Sequence, residues 1–183
     1  MITLVELAEE HRWQVLDWRN DPDVTRYMYQ SDPIPRDVHD AWFTGLLAAQ
    51  DREGWAVVMD GTPVGAAFVS DIDKGNSRAS WAFYLADPST RGRGVGSAVE
   101  YLVLEHVFNE LKLHKLCCEV LSFNQAVVTM HKKFGFVQEG LLREHRRRDG
   151  QWLDVHVLAM FEGTWAELRA GFTEKLRGRG LVA

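Results

Sequence analysis

The sequence predicts a single domain of the α/β class, and three observations carry that expectation. Stripes of apolar residues at helical spacing alternate along the chain with short runs rich in Val, Trp, Phe and Leu. Two Asp-Gly pairs, Asp60-Gly61 and Asp149-Gly150, each stand between two such runs, the signature of a tight hairpin. A loop holding three glycines, "RGRGVG" at residues 91–96, joins an apolar run to a long amphipathic segment. The 183 residues suit one domain with a real core, and no repeat or low-complexity linker divides them.

Each element follows from local signals. "ITLVEL" reads as a first strand. Residues 9–20 have helical spacing with Trp13, Leu16 and Trp18 inward, and Pro22 ends that helix by disfavouring helical backbone at Asp21. A second helix starts near Pro35, with Val38, Trp42 and Leu46 at four-residue intervals and Phe43 and Leu47 beside them. "WAVVM" and "TPVGAAFVSDI" form a hairpin, to which "SRASWAFYL" adds a third meandering strand. Beyond the glycine loop, Val95, Val99, Leu102, Val103, Val107 and Leu111 share one helical stripe. "KLCCEVL" is the next strand, residues 124–134 the next helix, and "LLREHRRRDGQWLDVHVLAMF" a long hairpin. The tail from Gly163 is expected to be a short helix and a frayed end.

Composition excludes several classes. With 46% hydrophobic and 26% charged residues the chain is globular, not disordered. A net charge of −5 and a pI near 5.8 argue against general affinity for nucleic acid or acidic membranes. The start has neither a basic n-region nor an apolar h-region, so a cytoplasmic protein is expected. Cys117 and Cys118 are adjacent and would point to opposite faces of a strand, which suits apolar packing better than a disulfide. The histidines lack paired metal-ligand spacing, and no metal is expected.

The glycine loop sits where a strand ends and a helix begins. Free N–H groups and the positive end of the helix dipole meet there, and glycines let a phosphate approach the backbone. A turn whose glycines only permit chain reversal would look the same. No Gly-Lys-Ser/Thr is present, which excludes a nucleotide-hydrolysing phosphate loop. The spacing also departs from G-x-G-x-x-G, so a dinucleotide fold is not expected.

What remains, Arg91-x-x-Gly94-x-Gly96, resembles the signature of the GNAT superfamily of N-acetyltransferases. "NQAVVTMHKKFGFVQEG" is similar to a later motif of that family, and the order of elements over residues 3–161 matches too. The resemblance implies a GNAT fold: one mixed, mostly antiparallel sheet of about seven strands flanked by helices. It implies a domain over 1–162 with a C-terminal helix and tail at 163–183. Within the family, "DWRNDPDVTRYMY" and "LHKLCCEVLSFNQAVV" look like the sugar-nucleotide N-acetyltransferases of pseudaminic acid biosynthesis. Those enzymes acetylate the 4-amino group of a UDP-linked 4-amino-4,6-dideoxy sugar for flagellin glycosylation. Protein N-terminal acetyltransferases and a non-catalytic acetyl-CoA-binding module share the layout and stay open. So does a homodimer.

The resemblance assigns roles residue by residue. Acetyl-CoA, as co-substrate, would lie along Phe83, Tyr84 and Leu85 and over Arg91, Gly92, Arg93, Gly94, Val95, Gly96 and Ser97, with Asn124 anchoring its pantetheine arm. The family's tyrosine, proton donor to the departing thiolate, is replaced by His131, which either serves as that acid or is a solvated helix residue. Glu119 matches an acidic residue that would take the amine proton. For the acceptor, Arg19 suits a diphosphate, and Met28, Tyr29, Trp42 and Phe43 offer surface for a base or sugar. The run "REHRRRD" reads as a charged hairpin end.

Overall fold

Both Asp-Gly pairs make the turns expected of them. Asp60 and Gly61 have φ of 52° and 86°, Asp149 and Gly150 of 49° and 77°. Two successive positive φ values give the backbone twist that closes a two-residue hairpin, and Asp-Gly tolerates them. The computed structural model describes residues 1–183, and its elements follow in this order. β1 (Ile2–Glu6) and a 3₁₀ turn lead into α1 (Arg12–Asn20), α2 (Pro22–Thr25) and α3 (Arg36–Ala48). The meander β2 (Glu53–Met59), β3 (Thr62–Asp73) and β4 (Arg78–Leu85) follows, then α4 (Val95–Glu105), which passes into a π-helical turn. β5 (Lys115–Leu121), α5 (Gln125–Phe134), the hairpin β6 (Val137–Arg148) and β7 (Gln151–Phe161), and α6 (Glu162–Arg177) complete the chain.

The seven strands form one sheet in the order β1-β2-β3-β4-β5-β7-β6. Every neighbouring pair is antiparallel except β4 and β5. That parallel pair is short: Arg78, Ala79 and Ser80 match Lys115, Leu116 and Cys117, and the pairing then stops. β4 stays paired to β3 as far as Leu85, and β5 to β7 as far as Leu121, so the two strands diverge. Alternate backbone groups of 81–85 and 118–121 are thereby left facing a gap.

Gly65 fixes the far end of β4. A Cβ on it would lie 2.1 Å from the Tyr84 carbonyl oxygen and 2.9 Å from Leu85 Cα, so only glycine lets β4 close against β3 there. The main core fills the other side of the sheet, where Val99, Val103, Leu104 and Val107 of α4 and its π turn meet Trp81, Leu116, Leu158 and Met160. None of the helices is long and apolar enough to cross a membrane.

Four expectations change. Trp13 is 37% exposed under the guanidinium of Arg36, and Arg12 turns inward instead. Arg12 can be buried because Glu9, Asp40 and Thr44 take its N–H groups. In α3 the inward stripe is His39, Phe43 and Leu46, while Val38 and Leu47 face solvent. Residues 22–25 form an extra helical turn, with Pro22 at its start and Asp21 capping the Asp23 N–H at 2.7 Å. The tail is neither short nor frayed. α6 buries Trp165 and Leu176, and the Leu181 carbonyl accepts from Ile2 N–H at 2.8 Å.

Gly65→Ala should lower stability by about 1–3 kcal/mol by overpacking, a fall in Tm of roughly 3–10 °C. A thermal melt checks it, and an unchanged Tm would show that β4 can shift without cost.

Candidate active site

The gap between β4 and β5 opens into a cavity of about 760 Å³. Its walls come from both faces of the sheet. Ser80, Ala82, Cys117 and Glu119 share one face, by the register of the parallel pair, with Arg19 of α1 and Tyr27–Gln30 after α2 above them. Trp81, Phe83, Cys118 and Val120 belong to the other face, where Asn124, Val127 and His131 complete the lining. An ordinary sheet would separate these two groups of residues. Here the missing strand pairing joins them.

The first wall is built by long-range contacts. The Tyr29 hydroxyl donates to Glu119, and the guanidinium carbon of Arg146 lies 3.9 Å from the centroid of the Tyr29 ring. Burial, followed by the bond to Glu119, pushes the Tyr29 hydroxyl well up, so it remains a donor at neutral pH. Tyr27 stacks on Phe123 at 6.0 Å between centroids. Arg148, at the end of β6, donates to the carbonyls of Thr25, Arg26 and Met28. Those carbonyls close the α2 turn, where a cation is favoured. The basic hairpin end is therefore a clamp on the loop that carries Met28 and Tyr29.

On the second wall, His131 is 3% exposed, so it is not a solvated helix residue. Its Nδ1 lies 2.8 Å from Oε1 of Glu100, a carboxylate of α4 with no exposure at all. Trp81 and Phe136 hold the ring at centroid distances of 5.3 and 5.1 Å. Asn124 stands at the start of α5 without capping it through its side chain, which leaves that amide available to the cavity.

The glycine loop lies at the end of this second wall. Gly92 and Gly94 have φ of 72° and 82°, and Gly94 is the residue before α4, one position earlier than the helix proper. The first backbone bond of α4 runs from Ala98 N–H to the Gly94 carbonyl at 3.1 Å. The N–H groups of Val95, Gly96 and Ser97 precede it and are free to meet an anion. A Cβ on Gly96 would stand 3.4 Å from Met130 Sδ and 3.7 Å from the Phe83 ring, so the loop also keeps the approach to the cavity narrow. Arg91 and Arg93 are held by Asp23 at 2.8 Å and Asp60 at 3.7 Å.

The structure does not bring every expected residue to the cavity. Phe43 is fully buried with Leu7, Val15, Leu46 and Ala56, and Trp42 packs edge-on against Phe68 beside that cluster. Both serve the core; burying a Phe side chain contributes about 1.5–3 kcal/mol. Tyr84 follows β4 with its backbone, but its side chain turns away from Phe83 into a pocket with Val24 and Ala66. There burial pushes its hydroxyl up and leaves it without a hydrogen-bond partner.

Some residues at the site escaped sequence reasoning. Arg78 and Asp71 line the cavity and carried no local signal. Glu100 had one: Val103 and Leu104, three and four residues on, are core positions, which puts a carboxylate inside the apolar stripe.

The fold agrees with known proteins. The acetyltransferase (GNAT) domain family matches residues 2–137. The probable N-acetyltransferase YjcK of Bacillus subtilis is 30% identical over 107 residues, 58% of this chain and 59% of that protein, so less than two thirds of its length is matched. The spermidine N(1)-acetyltransferase of Escherichia coli K12 is 24% identical over 88% of this chain and 86% of its own. Among solved structures, the spermidine N-acetyltransferase of Vibrio cholerae, crystallised with CoA and spermine, superposes with a TM-score of 0.84 at 20% identity, covering 90% of this chain and 98% of that one. The diverging strands, the glycine loop before α4 and this family match have one conclusion: the chain belongs to the GNAT family of acetyl-CoA-dependent N-acetyltransferases.

Proposed function

We propose that this protein transfers acetyl from acetyl-CoA directly to a primary amine of a small molecule, within a ternary complex. The observation that carries the reading is the cavity that crosses the sheet between β4 and β5. Acetyl-CoA would enter from the glycine loop, with its pyrophosphate on the N–H groups of 95–97 and its pantetheine arm along β4 and Asn124. The amine would come from the opposite face, past Arg19, Met28 and Tyr29. Residues suited to opposite proton transfers then lie on opposite walls. Glu119 takes the amine proton, directly or through a water, and His131 gives one to the departing thiolate. Free N–H groups in the gap would stabilise the oxyanion formed between them.

For the acceptor, the reading is an amine on a UDP-linked 4-amino-4,6-dideoxy sugar, as in pseudaminic acid biosynthesis. Arg19 and Arg78 line the cavity and suit a diphosphate, and Tyr27, Met28 and Tyr29 offer flat or polarizable surface. A polyamine is the second reading, supported by the spermidine-acetylating relatives and by Asp71 and Glu119 in the same cavity. Free thiol released with a UDP-4-amino sugar, with spermidine, and with peptides bearing N-terminal Ser or Ala separates the readings. Turnover of the sugar nucleotide alone is expected; preference for spermidine or peptide replaces that assignment, and no thiol with any amine leaves a binding module.

Two variants test the binding surfaces. Gly94→Val places a Cβ 2.9 Å from the Arg179 guanidinium at a φ that β-branched residues avoid. It should raise the acetyl-CoA KM by about 10–100-fold, the cost of one or more charge-assisted hydrogen bonds. Unchanged coenzyme affinity in a folded variant would remove the pyrophosphate from this loop. Arg148→Ala releases the loop at 25–28, and should raise the acceptor KM by about tenfold while leaving the acetyl-CoA KM alone. Equal changes in both constants would deny it a role confined to the acceptor wall.

A further inference from the structure

Glu100 is a charged residue that the transfer reaction, as described, leaves without a task. It sits on α4 at 0% exposure, its Oε1 2.8 Å from His131 Nδ1 and its Oε2 buried without any partner. A carboxylate in such a place is costly unless it is paired or protonated. Its one partner is an imidazole that Trp81 and Phe136 hold in a fixed orientation. With Nδ1 committed, Nε2 has no partner within the protein, and His131 lines the cavity.

Burial decides how many protons this pair holds. A carboxylate beside a neutral imidazole would leave a net negative charge among residues exposed by 3% and 0%. The electroneutral pair holds two protons, one in the Nδ1···Oε1 bond and one on Nε2. Consistent with this, burial pushes the Glu100 carboxyl upward, against the pull of its bond to His131. Cys118, on the neighbouring strand, does not compete for protons, because burial and then Glu100 push its thiol well up. The other ionisable groups around the cavity are Glu119 and Cys117 on β5, Arg78 on β4, Asp71 on β3, Arg19 on α1, and Tyr27 and Tyr29 after α2.

We propose that Glu100 is a positioning residue for acetyl transfer: it orients His131 and keeps the pair electroneutral, so that Nε2 meets the cavity already carrying a proton. The proposal rests on the reading of His131 as the acid. In the transfer, the amine nitrogen bonds to the thioester carbon and the carbon–sulfur bond breaks. The sulfur electron pair takes the proton from Nε2, while the amine proton leaves to Glu119 or water. The pair, now net negative in a dry site, regains a proton from solvent after CoA departs.

Glu100→Gln keeps the shape of the side chain and removes its charge. With saturating acetyl-CoA and acceptor, kcat should fall about tenfold or more while the acetyl-CoA KM stays constant. The sign of the pH effect is set by the acid: Nε2 must hold a proton, so kcat falls on the alkaline side. Without the carboxylate that fall should begin at lower pH. In a His131→Tyr background, Glu100→Gln should have no further effect on kcat, since the carboxylate acts through the imidazole. A Glu100→Gln profile superimposable on wild type, with His131→Ala still costing about 10²–10⁴-fold, overturns the role of Glu100 and leaves His131 as the acid. Near-wild-type kcat in His131→Ala overturns both. If Glu100→Gln does not fold, nitrogen-15 NMR of the wild-type imidazole decides: a protonated Nε2 at neutral pH upholds the pair, and a bare Nε2 overturns it.

Discussion

Three residue pairs hold β4 to β5, and the parting of the strands beyond Ser80 and Cys117 is the constraint on which the rest of the molecule depends. Each strand keeps its other neighbour to the end, so neither can follow the other. Gly65 adds to this by letting the Tyr84 carbonyl close against β3, which draws β4 away from β5. The result is a sheet with a slot in it. Unpaired backbone in a folded protein needs partners, and an extended ligand with amide groups, such as the pantetheine arm, would supply them.

A slot through a sheet puts different demands on its two sides. The α5 side is packed, and every polar group there must be satisfied or neutral; hence the imidazole of His131 is caught between Glu100 and two aromatic rings. The opposite side is assembled from a loop with little structure of its own. Tyr27, Met28 and Tyr29 stay in place because Phe123, Glu119, Arg146 and Arg148 reach them from three other parts of the chain. One wall of the slot is packed core, and the other is a loop held by residues distant in the chain.

The C-terminal tail ties these parts together. Arg179 reaches the Arg93 carbonyl at 3.4 Å and stands over Gly94, while Leu181 joins the edge of β1. Phe172 of α6 stacks on Phe134 of α5 at 4.1 Å, so the helix behind His131 is braced by residues that follow the last strand. Local propensity gave little hint of this, because α6 spreads its apolar residues widely and commits only Trp165 and Leu176 to full burial.

What the sequence determined by itself was whatever depends on neighbours along the chain. The Asp-Gly turns, the strand runs, the helix stripe after the glycine loop and the loop's free N–H groups all follow from backbone preferences and spacing within a few residues. Met28, Tyr29, Glu119, Asn124 and His131, singled out in the sequence, all line one cavity. Tertiary structure decided which apolar side chain lines the cavity and which joins the core. Trp42, Phe43 and Met28 look alike as apolar residues, but only the packing of α3 on β2 and β3 hides the first two. It also decided which charges could be buried. Arg12 reads as a solvent-facing residue and Glu100 only as a carboxylate within an apolar stripe, until Asp40, twenty-eight residues away, and His131, thirty-one away, are brought against them. A buried charge is tolerated only by a partner in space, and no local pattern can announce that partner.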